Sequence, residues 1–447
     1  MAHEKITSGL QQTMTQAGAT GAVTALVRTR LPEPAEENLA RIKAQVEGEH
    51  LATRRSDLLR AVPRRYDRGE AFCTALQREV TEAHAPIMSG APNGTSLWLA
   101  GAIAVSGTAA EIEDLARHED VTRIESNPVV EVPRVLRTPL EDSPESVDGS
   151  TWGLATIGAP DVWGGYGRGE GVLVGHLDTG VDADHPALAG KVVAFAEFDG
   201  AGNQVPTAGP YDTDQHGTHT AGTIVGRTHR GLNIGVAPDA RLASALVLPG
   251  GSGTFAQVVA GMQWCVAEGV HVINMSLGGP KYTTLWNLPI LNAWLSGVVV
   301  VASIGNSGQG TSGGPGNDPL CIGVGATHPA EFAAGFSGGQ VLPEVSWGPH
   351  QLTYIKPDIC APGVRVVSSV GKDGLASFNG TSMAAPHVAG VVALLQSAEP
   401  ALRGDPYATR ALLLGCVEDY GEAGRDPRYG FGRVDARSSA HQAIALR

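Results

Sequence analysis

Apolar and polar positions follow two different rhythms along this chain, and the change falls near residue 150. Beyond it, near-continuous apolar runs at 171–177, 241–248, 270–275, 298–303 and 364–368 predict strands buried on both faces. Helix-like segments at 216–226, 254–268 and 285–296 separate them, and a run of small and apolar residues at 383–395 predicts a helix packed on both sides. Strands alternating with helices predict an α/β fold of three layers, a mainly parallel sheet covered by helices. In such sheets the ligand crevice lies beyond the carboxyl ends of the strands.

Before residue 150 the pattern is mixed. Residues 1–20 are polar and are expected to be disordered. Residues 21–28 read as a strand, and a charge-rich helical region follows from about Pro34 to Ala83, interrupted near Pro63. Two strands at 95–100 and 102–105 precede Thr108, which with Glu111 three residues on forms a capping-box signature for a short helix. One or two strands at 121–132 close the region. The order predicts a small α+β domain of ferredoxin-like type over 21–133, with a helical insertion at about 45–83. Residues 134–150 carry Pro139, Glu141, Asp142, Pro144, Glu145, Asp148 and Gly149 and few apolar side chains, so they predict an exposed linker suited to cleavage. A second domain then spans 151–447.

Composition narrows the class. With 447 residues, 42% hydrophobic and only 17% charged, the chain can bury a large core, and its 59 glycines suit tight turns and close-packed helices. A net charge of -13 argues against nucleic acid as a partner, which needs a basic face. Nowhere do about 18 apolar residues run uninterrupted, so no membrane partner is expected, and the start shows no basic-then-apolar leader. The five cysteines are scattered through mostly apolar runs and read as small buried hydrophobes. These features point to the cytoplasm, although export by an unusual route would leave the same trace.

Three short stretches change the picture. Residues 171–186 form an apolar run ending in Asp178 and a glycine turn, which places Asp178 at the carboxyl end of a buried strand. Residues 214–223, Asp-Gln-His-Gly-Thr-His-Thr-Ala-Gly-Thr, open a small-residue helix with His216 in its first turn. Residues 379–390, Asn-Gly-Thr-Ser-Met-Ala-Ala-Pro-His-Val-Ala-Gly, put Ser382 where a loop turns into a helix; alone, it would read as a helix cap. Together, in the order Asp178, His216, Ser382, the three motifs strongly resemble those of the subtilisin-like serine proteases, peptidase family S8. The resemblance covers essentially 152–447, ending with Tyr-Gly-Phe-Gly-Arg-Val-Asp-Ala at 429–436.

The resemblance implies a serine endopeptidase acting on peptide or protein substrates. A serine hydroxyl is a poor nucleophile at neutral pH and needs a base beside it; His216 would take its proton and Asp178 would orient the imidazole. Asn306, in Val-Ala-Ser-Ile-Gly-Asn-Ser-Gly at 301–308, matches the family's side-chain oxyanion donor. Ser276, Leu277 and Gly278, and Gly251, Ser252 and Gly253, resemble the two edges between which an extended peptide adds as a strand. Ala302, Ser303, Ile304 and Gly305, with Gly313 opposite, would line the pocket for the residue before the scissile bond, with room for a large or apolar side chain. Residues 21–133, above all 108–133, resemble the inhibitory I9-like pro-domain of many such enzymes. The implied enzyme is a self-processing zymogen whose first domain is its intramolecular inhibitor.

Other readings attach to particular residues. The insertion at 45–83 and the missing leader suggest a processing protease whose first domain is kept to recruit one precursor. A further alternative is a catalytically silent binding protein of the same fold. His216 and His219 lack the glutamate and third ligand of a helical zinc motif, and His387 reads as a packed core histidine. No organic cofactor is implied. Where many family members carry an acidic calcium ligand this chain has Ala187, and His229 stands where an oxygen donor is expected, so the usual calcium site looks absent, with calcium at another site left as an alternative.

Overall fold

The computed structural model describes residues 2–30, 69–91, 93–144, 146–330, 333–334, 340–347 and 350–445. In the first part, strands β1 (Val23–Thr29), β2 (Thr95–Leu97), β3 (Ala102–Gly107) and β4 (Val121–Ser126) form an antiparallel sheet in the order β2-β3-β1-β4. Helices α1 (Ser8–Ala17), α2 (Gly69–Met88) and α3 (Ala109–Leu115) accompany it. Helix α3 begins with the reciprocal cap read from the sequence: Glu111 N–H donates to Thr108 Oγ1, and Thr108 N–H donates to Glu111 Oε2 at 2.7 Å.

Two expectations change here. The first 20 residues, expected to be disordered, contain helix α1, with Leu10 and Met14 buried on it and Ile6 buried just before it in a bridge to Ile124. Leu10 and Met14 are one turn apart and so fall on one face of the helix, which the polar residues between them mask. The expected insertion at 45–83 lies largely outside the described residues, but its end is part of α2, which continues to Met88.

Two short strands lead out of this part, β5 (Val129–Glu131) and β6 (Leu136–Thr138). The second part is built on β7 (Leu173–Asp178), β8 (Val192–Phe198), β9 (Arg241–Leu246), β11 (Val272–Met275), β12 (Val299–Ser303), β13 (Ile322–Thr327), β14 (Ile359–Pro362) and β17 (Arg433–Val434). They run parallel in the spatial order β17-β14-β13-β12-β11-β7-β9-β8, with a two-residue antiparallel strand at each edge. Strand β10 (Ser252–Thr254) lies outside this sheet, as do β15 (Val366–Val370) and β16 (Gly374–Asn379). The run at 364–368 was expected to join the parallel sheet; β15 instead pairs antiparallel with β16, and β16 with β6. A single apolar run does not say which sheet will take it.

Helices α4 (His216–Val225), α7 (Thr381–Ala398) and α8 (Ala436–Ala445) cover one face of the sheet. Helices α5 (Phe255–Ala267) and α6 (Asn287–Leu295) cover the other. There the core does not stop at the helices: Leu26, Leu97, Trp98 and Leu99 of the first part join Phe255, Trp286 and Trp294 in one buried cluster. Leu99 is fixed at both ends of its peptide unit. Its N–H donates to Gln263 Oε1 at 3.1 Å, and its carbonyl accepts from Asn292 Nδ2 at 2.8 Å. Leu99→Ala is expected to cost about 2–5 kcal/mol, because the surrounding helices cannot fully collapse onto the void. Urea unfolding of the full chain checks this; a midpoint equal to that of the wild type would contradict it.

Candidate active site

Strand β7 delivers Asp178 to its carboxyl end, where Thr179 and Gly180 turn the chain away. Gly180 has φ 112°, and a Cβ there would lie 2.1 Å from Tyr211 O, so only glycine fits. Helix α4 starts beside this turn. A Cβ on Gly217 would meet Gly180 O at 2.0 Å, so two glycines in contact let the helix start approach the strand end. His216 and Asp178 meet as a result: Nδ1 lies 2.7 Å from Asp178 Oδ1, and both side chains are buried. Acidic groups also hold the helix start, with His216 N–H donating to Asp214 Oδ1 at 3.0 Å and Thr218 N–H to Asp212 Oδ2 at 2.7 Å.

The electrostatics follow from this burial. Desolvation alone would raise the pKa of Asp178, but the His216 charge and hydrogen bond, with Thr179 N–H, hold it below the usual carboxylate range. Desolvation alone would lower that of His216. The Asp178 charge and hydrogen bond outweigh it, with Asp212 and Asp214 adding, and leave the imidazole above its usual value.

Ser382 is the second residue of α7 and is fully buried. Its hydroxyl donates to Ser276 O at 3.4 Å, while Ser276 Oγ donates to Ser382 O at 2.8 Å. Nε2 of His216 is buried and has no hydrogen-bond partner among the described residues. Thr381 orients Asn306, whose Oδ1 accepts from Thr381 N–H at 2.9 Å and from Thr381 Oγ1 at 2.8 Å. That leaves Nδ2 to point into the cleft, where it donates to Arg134 O at 2.9 Å.

The chain itself fills this cleft. Strand β5 pairs antiparallel with β10 on one side, and Val132 N–H donates to Gly251 O at 2.9 Å. On the other side Glu131 exchanges two hydrogen bonds with Gly278, at 3.0 and 2.9 Å. Beyond Arg134, β6 continues along β16 with Leu136 opposite Asn379 and Thr138 opposite Ser377. The segment expected to be a free linker therefore begins as a paired strand, with Arg137 over the Phe378 ring at 5.1 Å. A cavity of about 830 Å³ opens beside Arg134, bordered by Leu277, Gly278, Ser303, Ile304, Gly305 and Gly313 among others. Ala302 is not at its wall; the side chain is buried in the cluster behind the sheet. Ser252 and Gly253 lie in the paired edge strand.

Several contacts are not readable from local motifs. Asp212 acts on the site from outside the strings that mark it, while Thr381 and Thr220 lie within them with no mark of their roles, Thr381 holding Asn306 and Thr220 donating to Asp178 Oδ2 at 3.0 Å. The one available signal for Thr220 was its position one turn after His216. His219 ties α4 to the β15–β16 pair through Val366 O at 3.0 Å and stacks on Phe378, and burial pushes it down to about 3. At the loop considered for calcium, Ala187 offers no side-chain oxygen and His229 Nε2 is 3.2 Å from Asp373 Oδ1. This donor set does not suit a cation that takes six to eight oxygens. No cluster of three or more metal-binding side chains occurs among the described residues.

Residues 169–432 match the family described as Peptidase_S8, the subtilase family. Subtilisin DY of Bacillus licheniformis is 38% identical over 267 residues, covering 58% of this chain and 89% of that protein. The subtilisin of Bacillus pumilus is 37% identical over 257 residues, covering 56% of this chain and 85% of its own length. Alkaline elastase YaB of a Bacillus strain is 36% identical over 286 residues, covering 63% and 68% of the two chains.

Proposed function

Because the chain belongs to the subtilase family of serine endopeptidases, we propose that Asp178, His216 and Ser382 are its catalytic residues and that its first substrate bond is its own Arg134–Val135. Ser382 Oγ attacks a peptide carbonyl while His216 Nε2 accepts the hydroxyl proton, and Asp178 stabilises the imidazolium that forms. The same imidazolium then protonates the leaving amine, and water repeats the cycle on the acyl-enzyme. Asn306 Nδ2 and the positive end of helix α7 stabilise the oxyanion. In the intact chain Ser382 rests on Ser276 O; attack requires its hydroxyl to turn to His216, in keeping with catalytic hydrogen bonds that tighten only once substrate is in place.

The single observation that carries the self-processing reading is the Asn306 Nδ2 contact to Arg134 O, with paired strands on both sides of that residue. A peptide added between two edges and carrying its carbonyl to an oxyanion donor is placed as a substrate would be. The first domain then acts as an intramolecular inhibitor, and the enzyme is made as a zymogen. The shared core around Leu97, Trp98 and Leu99 favours a cut complex in which the first domain stays docked. That keeps open the second reading, a processing protease that uses its first domain to recruit a precursor. Size-exclusion chromatography of the cut protein separates the two, since a domain that leaves on cutting contradicts retention.

Asn306→Ala is expected to lower kcat by about 10²- to 10³-fold with little change in KM, because the donor is needed most when negative charge develops. Steady-state kinetics on a peptide substrate checks this, and a loss confined to KM would contradict the assignment. A fluorophosphonate probe is expected to label the cut wild type on Ser382 and to leave Ser382→Ala unlabelled. Labelling of both would overturn the choice of nucleophile.

A further inference from the structure

His176 lies two residues before Asp178 on β7 and is fully buried. A parallel strand covered on both faces ordinarily carries an apolar side chain there, and a buried imidazole is costly unless its nitrogens are bonded. Both are: Nδ1 is 3.0 Å from Ser244 Oγ, and Nε2 is 2.8 Å from Thr220 Oγ1. The Thr220 hydroxyl lies 3.0 Å from Asp178 Oδ2 and 3.1 Å from Gly217 O. The other carboxylate oxygen, Oδ1, receives His216 Nδ1 at 2.7 Å and Thr179 N–H at 2.8 Å.

A threonine hydroxyl has one proton to give. If His176 carries its proton on Nε2, that N–H donates to Thr220 Oγ1 and the hydroxyl proton is free for Asp178 Oδ2. If Nε2 is bare, Thr220 must donate to it and Oδ2 loses that donor. Ser244 Oγ can supply a proton to Nδ1, which fits the first arrangement. Burial keeps the ring neutral, pushing it down to about 4.

We propose that Thr220 and His176 are positioning residues for the reaction, forming a chain from His176 Nε2–H through the Thr220 hydroxyl to Asp178 Oδ2 that holds the carboxylate in place while Oδ1 serves His216. This rests on the triad assignment above. Other titratable groups also face the pair. Asp212 and Asp214 act on His216 from the loop before α4, and His219 lies further along that helix. Cys265 faces the backbone of His176 from α5, its thiol pushed up by burial, and α7 contributes Ser382 and, towards His219, His387. None of these bonds to Oδ2.

The test is the pH profile of kcat/KM on the cut enzyme, normalised by burst titration of active sites. Thr220→Val is expected to lower kcat/KM about tenfold or more, the scale of one hydrogen bond to a charged group. It should also move the acid limb to higher pH, because a carboxylate that has lost a donor attracts the imidazolium more strongly. Thr220→Ser should restore both. His176→Leu should shift the limb in the same direction, and adding it to Thr220→Val should change nothing further. Thr220→Ala serves if the valine variant does not fold. A limb at the wild-type pH in the valine or alanine variant, or a serine variant shifted as far as valine, would overturn the proposal. A wild type without a burst would contradict the triad assignment and this inference together, whereas a wild-type burst with an unmoved limb contradicts this inference alone.

Discussion

His216→Ala is expected to lower kcat by about a millionfold, the scale on which triad members fail as a unit. The reason is geometric. Asp212, Asp214 and His176 surround the site, yet His216 is the group whose free ring nitrogen is buried with no partner among the described residues while its other nitrogen is bound to Asp178. His219, three residues on, cannot substitute: its Nε2 is held by Val366 O and Ala376 O on the β15–β16 pair. Burst and steady-state kinetics on folded variant check the expectation, and a loss smaller than about a hundredfold would remove His216 from the role of base.

Asp178→Asn is expected to cost about 10⁴-fold in kcat. In this site Thr179 N–H donates to Oδ1 and Thr220 donates to Oδ2. Thr220 can turn to Gly217 O and accept an amide N–H instead, so the asparagine oxygen is expected to stay on the His216 side. The loss then comes mainly from the missing charge and less from a wrong tautomer. The two explanations differ in pH. The Asp178 charge raises His216 in the wild type, so its removal must lower it, and the residual activity should persist to more acid pH than in the wild type. An acid limb that stays in place, or moves upward, would contradict this account.

The parts of the site visible in the sequence are those in which local chemistry and local shape coincide. Asp178, His216 and Ser382 each sit at an abrupt change from an apolar run to a glycine-bearing turn or the reverse. Such junctions mark strand and helix ends, where an α/β sheet collects its chemistry. Asn306 follows β12 for the same reason. What stayed hidden depends on partners distant in sequence. The pairing of β6 with β16 joins residues more than 200 apart, and nothing in the acidic stretch 139–149 announces that Leu136–Thr138 will be a strand. Ala302 and Ser303 are neighbours on β12, and the alternation of a strand sends one into the core and the other towards Leu277 O. Helix α1 was masked by its polar majority, since only Leu10 and Met14 of it are buried. His176 looked like one more residue of a buried strand, and its use depends on Thr220 and Ser244 from two other elements.

The intact mass of purified full-length protein, followed over time beside Ser382→Ala, tests the central claim most directly. The wild type, starting at 46.2 kDa, is expected to yield one new carboxyl terminus at Arg134 and one new amino terminus at Val135, while Ser382→Ala stays whole. A wild type that also stays whole, a first cut elsewhere in the chain, or the same fragments from Ser382→Ala would contradict it.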